Sequence, residues 1–454
     1  MVLVSTYDLG HQPFGLASPA AWLRQSGFQV NCVDLAVDSL PSEIVRQAHL
    51  VAFYIPMHTA TRLAVEVFTH VRQLNPLAHL CFYGLYAPLN EVFLRKLGAQ
   101  TILGGEYESG LLHLCHRLHS ILAGSLSDQQ TEPLVSLARQ QFLIPDRCDL
   151  PELSKYAQLH WGSHPPRKTG YVEATRGCKH SCRHCPIVPV YEGNFRIIQK
   201  DVVLADIRQQ VKAGAEHITF GDPDFFNGVG HAVPIVQALH QEFPKVTYDV
   251  TIKVEHLLRH SEHLPLLKET GCVVVTSAVE AMDDHILALL NKKHTVADFI
   301  QVVQLCQKAG LTLNPTFIPF TPWSSVTGYQ EFLSSLFELG LAEQTSPIQL
   351  AIRLLITEGS MLFEIPDMQK QSENFNQQSL VYEWEHPDST MDELYSDVLE
   401  LVSSGMQKNQ TRPEIFEALW NCASTKTSPH SSLPPLPLVP GRTDFPYLNE
   451  PWYC

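Results

Sequence analysis

The sequence predicts an α/β protein: a doubly wound parallel-sheet domain, a second strand–helix series, a helical extension and an extended tail. Apolar strand-like runs alternate with amphipathic helix-like runs over residues 1–125 and again over 166–365, a pattern that calls for parallel sheets faced by helices. Between the two series, residues 126–165 carry Ser, Gln and Pro with weak periodicity and read as a linker. Residues 366–426 change to amphipathic helices, and 427–454 form a proline-rich tail that ends at Cys454. A chain of 454 residues with 44% hydrophobic content has room for two cores.

In the first series, strands are expected at Val2–Thr6, Phe28–Leu35, Leu50–Ile55, His79–Tyr83 and Thr101–Leu103. Helices follow at Ser18–Ser26 and Thr59–Leu74. Ligands of such sheets bind beyond the carboxyl ends of the strands. There the loops are small and polar, as in Asp8–Gly15, Pro56–His58, Gly84–Tyr86 and Gly104–Glu108. In the second series, strands are expected at 170–175, 217–220, 247–253, 272–277, 312–318 and 349–356, with six intervening helices.

The formal charge of −15 argues against nucleic acid as a partner, because phosphate binding needs a basic face. No apolar run reaches the roughly 18 residues of a membrane span, so no membrane partner is expected. The N-terminus begins a strand without a signal-peptide pattern. Eleven cysteines, odd in number and scattered, argue against a secreted disulfide framework and point to a reducing cytoplasm.

The most informative stretch is Gly177-Cys178-Lys179-His180-Ser181-Cys182-Arg183-His184-Cys185-Pro186. Three thiolates this close can hold three corners of an iron–sulfur cluster and leave one iron open. Lys179, His180, Arg183 and His184 are expected to lower the thiol pKa values. A zinc site completed by His180 or His184, and plain buried thiols, are the alternatives the spacing leaves open.

Cys-x3-Cys-x2-Cys after the strand-like Gly170–Thr175 resembles the signature of radical S-adenosylmethionine (radical SAM) enzymes. The resemblance implies a [4Fe-4S] cluster on Cys178, Cys182 and Cys185, with S-adenosylmethionine chelated to the open iron. It implies a partial (β/α)6 barrel behind a Rossmann-like domain of the cobalamin-binding type, and an electron donor such as flavodoxin or ferredoxin. His184 stands where the family usually has an aromatic residue near the adenine. Gly221 would allow close backbone approach and Asp222 or Asp224 would accept from the methionyl ammonium, with an acidic helix cap as the alternative. Lys253 and Arg353 would face the methionyl carboxylate, and a structural aspartate is an equal partner for Arg353. Ser277 and Glu280, with the following Leu290-Asn291-Lys292-Lys293-His294-Thr295, match the segment near the ribose and methionyl groups.

Cobalamin is left open, because the first strand–helix loop contains His11 but not Asp-x-His-x-x-Gly. The tail, ending Pro451-Trp452-Tyr453-Cys454, resembles a subgroup whose chains end Cys-Sec-Ala-Glu-Pro or Cys-Cys-Ala-Glu-Pro. On that resemblance the chain is expected to continue past Cys454 with selenocysteine, and Cys454 to be catalytic. The activity implied is reductive cleavage of S-adenosylmethionine with alkyl transfer or modification on a small substrate. Transfer of 3-amino-3-carboxypropyl to a soft acceptor such as arsenite is one form. A cobalamin-dependent methyltransferase and a non-catalytic zinc or metalloid carrier are the alternatives.

Overall fold

The computed structural model describes residues 1–124, 131–426 and 445–449. The N-terminal sheet contains β1 (Val2–Ser5), β2 (Asn31–Asp34), β3 (Leu50–Tyr54), β4 (His79–Tyr83), β5 (Thr101–Gly105) and β6 (Val135–Ser136). Its order is β2-β1-β3-β4-β5-β6 with every pair parallel, so the order reverses beside β1. Helices pack on both faces, and each face closes over its own apolar core. One is centred on Phe53, Phe68 and Phe82, the other on Leu16, Leu23 and Leu111.

The stretch read as a linker contributes structure at both ends. It supplies β6 to the first sheet and β7 (Gln158–His160), which pairs antiparallel with β8 (Arg167–Val172) of the second. A short antiparallel pair, β9 (Thr175–Gly177) and β10 (Phe195–Ile197), brackets the cysteine-rich loop. Then come β11 (His217–Phe220), β12 (Thr247–Thr251), β13 (Cys272–Glu280) and β14 (Thr312–Phe317). Strands β8, β11, β12, β13 and β14 run parallel in that order and curl into a partial barrel.

A sixth barrel strand does not form at 349–356. Pro347 turns Pro347–Leu350 into a single-turn helix, and only the lone parallel bridge Phe320–Arg353 remains of the expected pairing. The barrel therefore stays open between β14 and β7, apart from a strap described below. The C-terminal extension adds a small hairpin, β15 (Phe375–Asn376) with β16 (Val381–Tyr382), and the helices Ser389–Gln407 and Arg412–Thr425. These helices bury Leu394, Val398, Phe416 and Trp420 in the barrel's outer core. Tail residues Tyr447–Leu448 form β17, antiparallel to β7. Among the described residues no helix is long and apolar enough to cross a membrane. Cys454 lies outside the described residues.

Candidate functional site

The cysteine loop leaves β9 through Gly177, whose φ of 76° and whose crowding against the Tyr191 ring exclude a side chain. Cys182 is buried, and Cys178 and Cys185 are partly so. Burial pushes the Cys185 thiol up to about 12 and raises Cys178 as well, each reinforced by the neighbouring cysteines. The expectation that flanking bases would lower these two thiols is thus reversed, because burial outweighs them. Cys185 feels the charge of Cys182 and Cys178, and Cys178 that of Cys182, so a cation or cluster on this loop would relieve the thiols of their protons.

Polar clamps fix the loop from three sides. The Asn227 carboxamide oxygen accepts from the Lys179 amide at 3.3 Å and lies 3.9 Å from Cys178 Sγ. The Arg183 side chain donates to the Leu289 carbonyl at 2.7 Å, and its amide donates to Leu290. Asn291, itself at φ 56°, donates to the carbonyl and hydroxyl of Ser181. His180 Nε2 sits 3.1 Å from Asp224, which also holds His256 Nδ1 at 2.7 Å. Burial would raise Asp224, but its two histidines outweigh that and keep it below the ordinary carboxylate range. The donor atoms of Cys178, His180 and Asp224 lie within 4.8 Å of one another, so a zinc reading keeps a donor set.

In the acidic turn after β11 the helix-cap alternative holds for Asp224, which accepts from the Phe226 amide at the start of the short helix Phe225–Gly228. Asp222 accepts from the Ala174 amide at 2.9 Å and from the Thr175 hydroxyl at 2.5 Å, bracing the corner that launches the loop. Both of its oxygens are engaged, as are those of Asp224. Gly221 is small for Tyr171: a Cβ there would stand 1.8 Å from the phenol oxygen. Asp222 and Asp224 thus brace the loop, and Gly221 and Asp222 line the barrel.

At the end of β13 the backbone bulges and Glu280 takes φ 76°, a left-handed conformation rare for a glutamate. It receives Lys292 Nζ at 3.1 Å and stands 3.1 Å from His184 Nε2, the residue before Cys185. Burial would raise Glu280, but Lys292 and then His184 hold it at about 2. Nearby, burial and the charges of Lys292 and Lys253 lower His294 to about 4, so the ring is neutral. The Lys253 ammonium makes no hydrogen bond among the described residues and lies 3.8 Å from Glu255. Both His294 ring nitrogens are buried and make no close hydrogen bond among the described residues. Buried polar atoms are rarely left so, and this group marks a place shaped for a polar ligand.

Ser277 is fully buried and unpartnered, but strand alternation sets it with Val275 and Val279 on the helix side, opposite lumen-lining Thr276. Arg353 is not at the mouth. It pairs with Asp392 at 2.7 Å, donates to the Trp384 carbonyl and stacks 3.8 Å over the Trp384 ring, in the wall of a separate cavity of about 1010 Å³. Asn227, Asn291, Lys292 and His294 have structural claims on the site that the sequence reading did not assign them. The last three stand in the segment 290–295, which was the available signal.

We expect Glu280→Gln to destabilise the fold by about 3 kcal/mol at neutral pH, because it strands the buried Lys292 charge. The lowered Glu280 pKa gives stability that is present above the ordinary carboxyl value of 4.5 and lost as pH falls toward 2. Urea denaturation across that window should show the loss in the parent and a flatter response in the variant.

The carboxyl edge of the N-terminal sheet faces this barrel. Tyr54, Tyr83 and Tyr107 pack ring against ring at 5.1–5.9 Å over β3, β4 and the end of β5, and the Tyr83 hydroxyl donates to the Gly15 carbonyl. Arg176 of β9 reaches across to pair with Glu106 at 3.4 Å and Glu108 at 2.7 Å while holding Glu173 at 2.6 Å. His11 stacks on Tyr171, and His58 meets the Ser379 carbonyl at 2.7 Å.

Residues 172–332 match the Radical SAM superfamily. The hopanoid C-3 methylase of Methylococcus capsulatus is 24% identical over 327 residues, covering 69% of this chain and 62% of that protein. The chain thus spans less than two thirds of that relative's length. Among solved structures, the cobalamin-dependent S-adenosylmethionine radical enzyme OxsB, with aqua-cobalamin and S-adenosylmethionine bound, superposes with a TM-score of 0.69 at 14% identity. That match covers 89% of this chain and 66% of OxsB. The radical S-adenosylmethionine methyltransferase TsrM of Kitasatospora setae, with cobalamin and a [4Fe-4S] cluster, gives 0.58 at 15% identity, covering 76% of this chain and 73% of TsrM. Residues 172–332 thus match the Radical SAM superfamily, and the chain, with its N-terminal sheet domain, shares the fold of the cobalamin-dependent radical SAM enzymes OxsB and TsrM.

Proposed function

We propose that this protein is an enzyme that cleaves S-adenosylmethionine reductively and transfers or modifies an alkyl group on a small acceptor. The observation that carries this is three cysteines on one clamped loop together with the buried Lys253 and His294, whose side-chain nitrogens make no hydrogen bond among the described residues. Cys178, Cys182 and Cys185 would hold a [4Fe-4S] cluster, and the donor set fits it: soft, close and on one clamped loop. Bound there with S-adenosylmethionine, the cluster supplies one-electron cleavage of a sulfonium carbon–sulfur bond. Lys253, buried with no hydrogen bond among the described residues and with Glu255 3.8 Å away, would be the cation for the methionyl carboxylate. His294, neutral, offers a donor and an acceptor without adding charge. Glu280 and Lys292 fix His184 and hence the third cysteine.

A histidine-ligated cobalamin does not fit the N-terminal edge. His11 and His58 are turned to Tyr171 and Ser379, and three tyrosines occupy the space over β3 to β5. The fold shared with OxsB and TsrM supports testing cobalamin bound without a histidine ligand.

The test is anaerobic reconstitution with iron and sulfide, then reduction by dithionite or flavodoxin with S-adenosylmethionine present. We expect 5′-deoxyadenosine or, with a methyl acceptor, S-adenosylhomocysteine. Methylthioadenosine would mark aminocarboxypropyl transfer and direct the search to arsenite. Stoichiometric zinc with no iron uptake and no cleavage would overturn the proposal in favour of a metal carrier.

A further inference from the structure

Below the mouth, the barrel encloses a cavity of about 300 Å³, at the small end of ligand sites. Its wall is polar for the interior of a barrel. Thr219, Thr251, Thr276, Asn314 and Thr316 turn inward from four consecutive strands. Alternation accounts for this pattern: the same strands send Val250, Val275 and Leu313 outward into the helix layer. The sequence could have filled the lumen with aliphatic side chains, as closed barrels do, and did not.

The ionisable lining is mainly acidic, with His11 and Arg412 as its basic members. Asp8, from the loop after β1, reaches into the cavity beside Asp222 and Asp249. Asp249 is shared with His217 at 2.8 Å and Thr219 at 2.6 Å. Burial raises Asp8 to about 7, with His11 opposing and Glu173 and Asp34 adding to the rise. Arg412, the cation on the rim, is committed elsewhere: it donates to the carbonyls of Glu343 and Gln344 and lies 4.8 Å over the Tyr447 ring.

The open side of the barrel is covered by the strap Phe445–Asn449. Phe445 lines a second, smaller pocket together with Val303, Leu313 and Leu341 on the β14 side. Tyr447 and Leu448 pair with β7 on the other, where Tyr447 stacks on His160. The Asn449 carboxamide accepts from the Gln158 amide at 2.6 Å. The strap thus spans the gap that the missing sixth strand leaves and limits the chamber's size.

We propose that this chamber takes a small hydrophilic acceptor bearing a protonated amine, held by Asp8 and the inward hydroxyls, and that it excludes fused-ring hydrocarbons of the kind the methylase relative's name denotes. The proposal deepens the alkyl-transfer reading and rests on it for the identity of the mouth.

Binding to the full chain, without cluster or S-adenosylmethionine, tests the chamber by itself. Calorimetric titration would compare glucosamine and 2-deoxystreptamine with N-acetylglucosamine, glucose and a fused-ring sterol. The amines should bind at least about tenfold more tightly than the neutral sugars, the scale of a desolvated charge contact. Asp8→Asn should erase that preference. Thr276→Val should weaken every polar probe, which keeps the test alive if the Asp8 variant fails to fold. Failure of both amines to bind, neutral sugars matching them, or tight sterol binding would overturn the proposal. Amine binding by a protein whose reconstituted form cleaves no S-adenosylmethionine would overturn the function proposed above and uphold the chamber's selectivity.

Discussion

Cys182→Ala is expected to abolish cluster assembly and, with it, cleavage of S-adenosylmethionine. Cys182 is the middle thiol of the three and the most buried, at 7% exposure, so no solvent ligand can replace it without opening the loop. A cluster held by two thiolates loses an iron corner, and the effect should exceed the 10–100-fold typical of residues that only support metal ligands. That comparison gives the test its internal scale. Asn291→Ala removes the two donations to Ser181 but leaves all three thiols, so it should fall within the 10–100-fold range in iron affinity. Iron and sulfide content, the visible absorbance of the reconstituted protein and the yield of 5′-deoxyadenosine are the readouts. If Cys182→Ala kept full iron and cleavage, the cluster assignment would fall. If it instead kept bound zinc on protein that never took up iron, the set Cys178, His180 and Asp224 would become the metal centre to pursue.

What the sequence made legible was whatever is written locally. The period-2 and period-3.6 alternations reveal five strands of each sheet, and the cysteine spacing marks the loop on which the site is built. Glu280 was legible only as a member of a resembling segment; its left-handed backbone and its tie to His184, 96 positions away, are products of the fold. The apolar run around Arg353 reads as a strand because nothing nearby shows that Pro347 has already turned the chain, or that Asp392 lies in wait 39 residues on. The acidic turn is a sharper case. Asp222 and Asp224 were read as free receptors because sequence exposes the carboxyl groups and hides their partners. Ala174, Thr175, His180 and His256 come from three other elements, and only packing brings them in. Gly221 shows the same limit: a close approach was legible, but not that Tyr171 makes it.

Arg176→Met should cost at least about 3 kcal/mol, because it leaves three carboxylates buried together without their cation. The geometry makes Arg176 the electrostatic tie between the two domains. It stands on β9, at the root of the cysteine loop, and its partners Glu106 and Glu108 belong to the end of β5 and the helix that follows. Its guanidinium also lies over the Phe14, Tyr107 and Phe142 rings at 4.9–5.4 Å, so methionine can replace much of the packing but none of the charge. The pH dependence separates charge from packing. Burial already raises Glu106 to about 7 against the pull of Arg176, and removing that pull must raise it further. A carboxyl whose folded pKa is raised binds its proton more tightly in the folded state, so the fold is favoured at low pH and loses stability as pH rises through the folded value. The variant should therefore lie nearer the parent in mildly acid solution and fall away from it above pH 7, when Glu106, Glu108 and Glu173 would all have to ionise. A lost packing contact would give the same deficit at every pH. Urea midpoints measured on both sides of neutrality decide between them, and a deficit independent of pH would remove Arg176 from its place as the ionic tie between the N-terminal sheet and the cysteine loop.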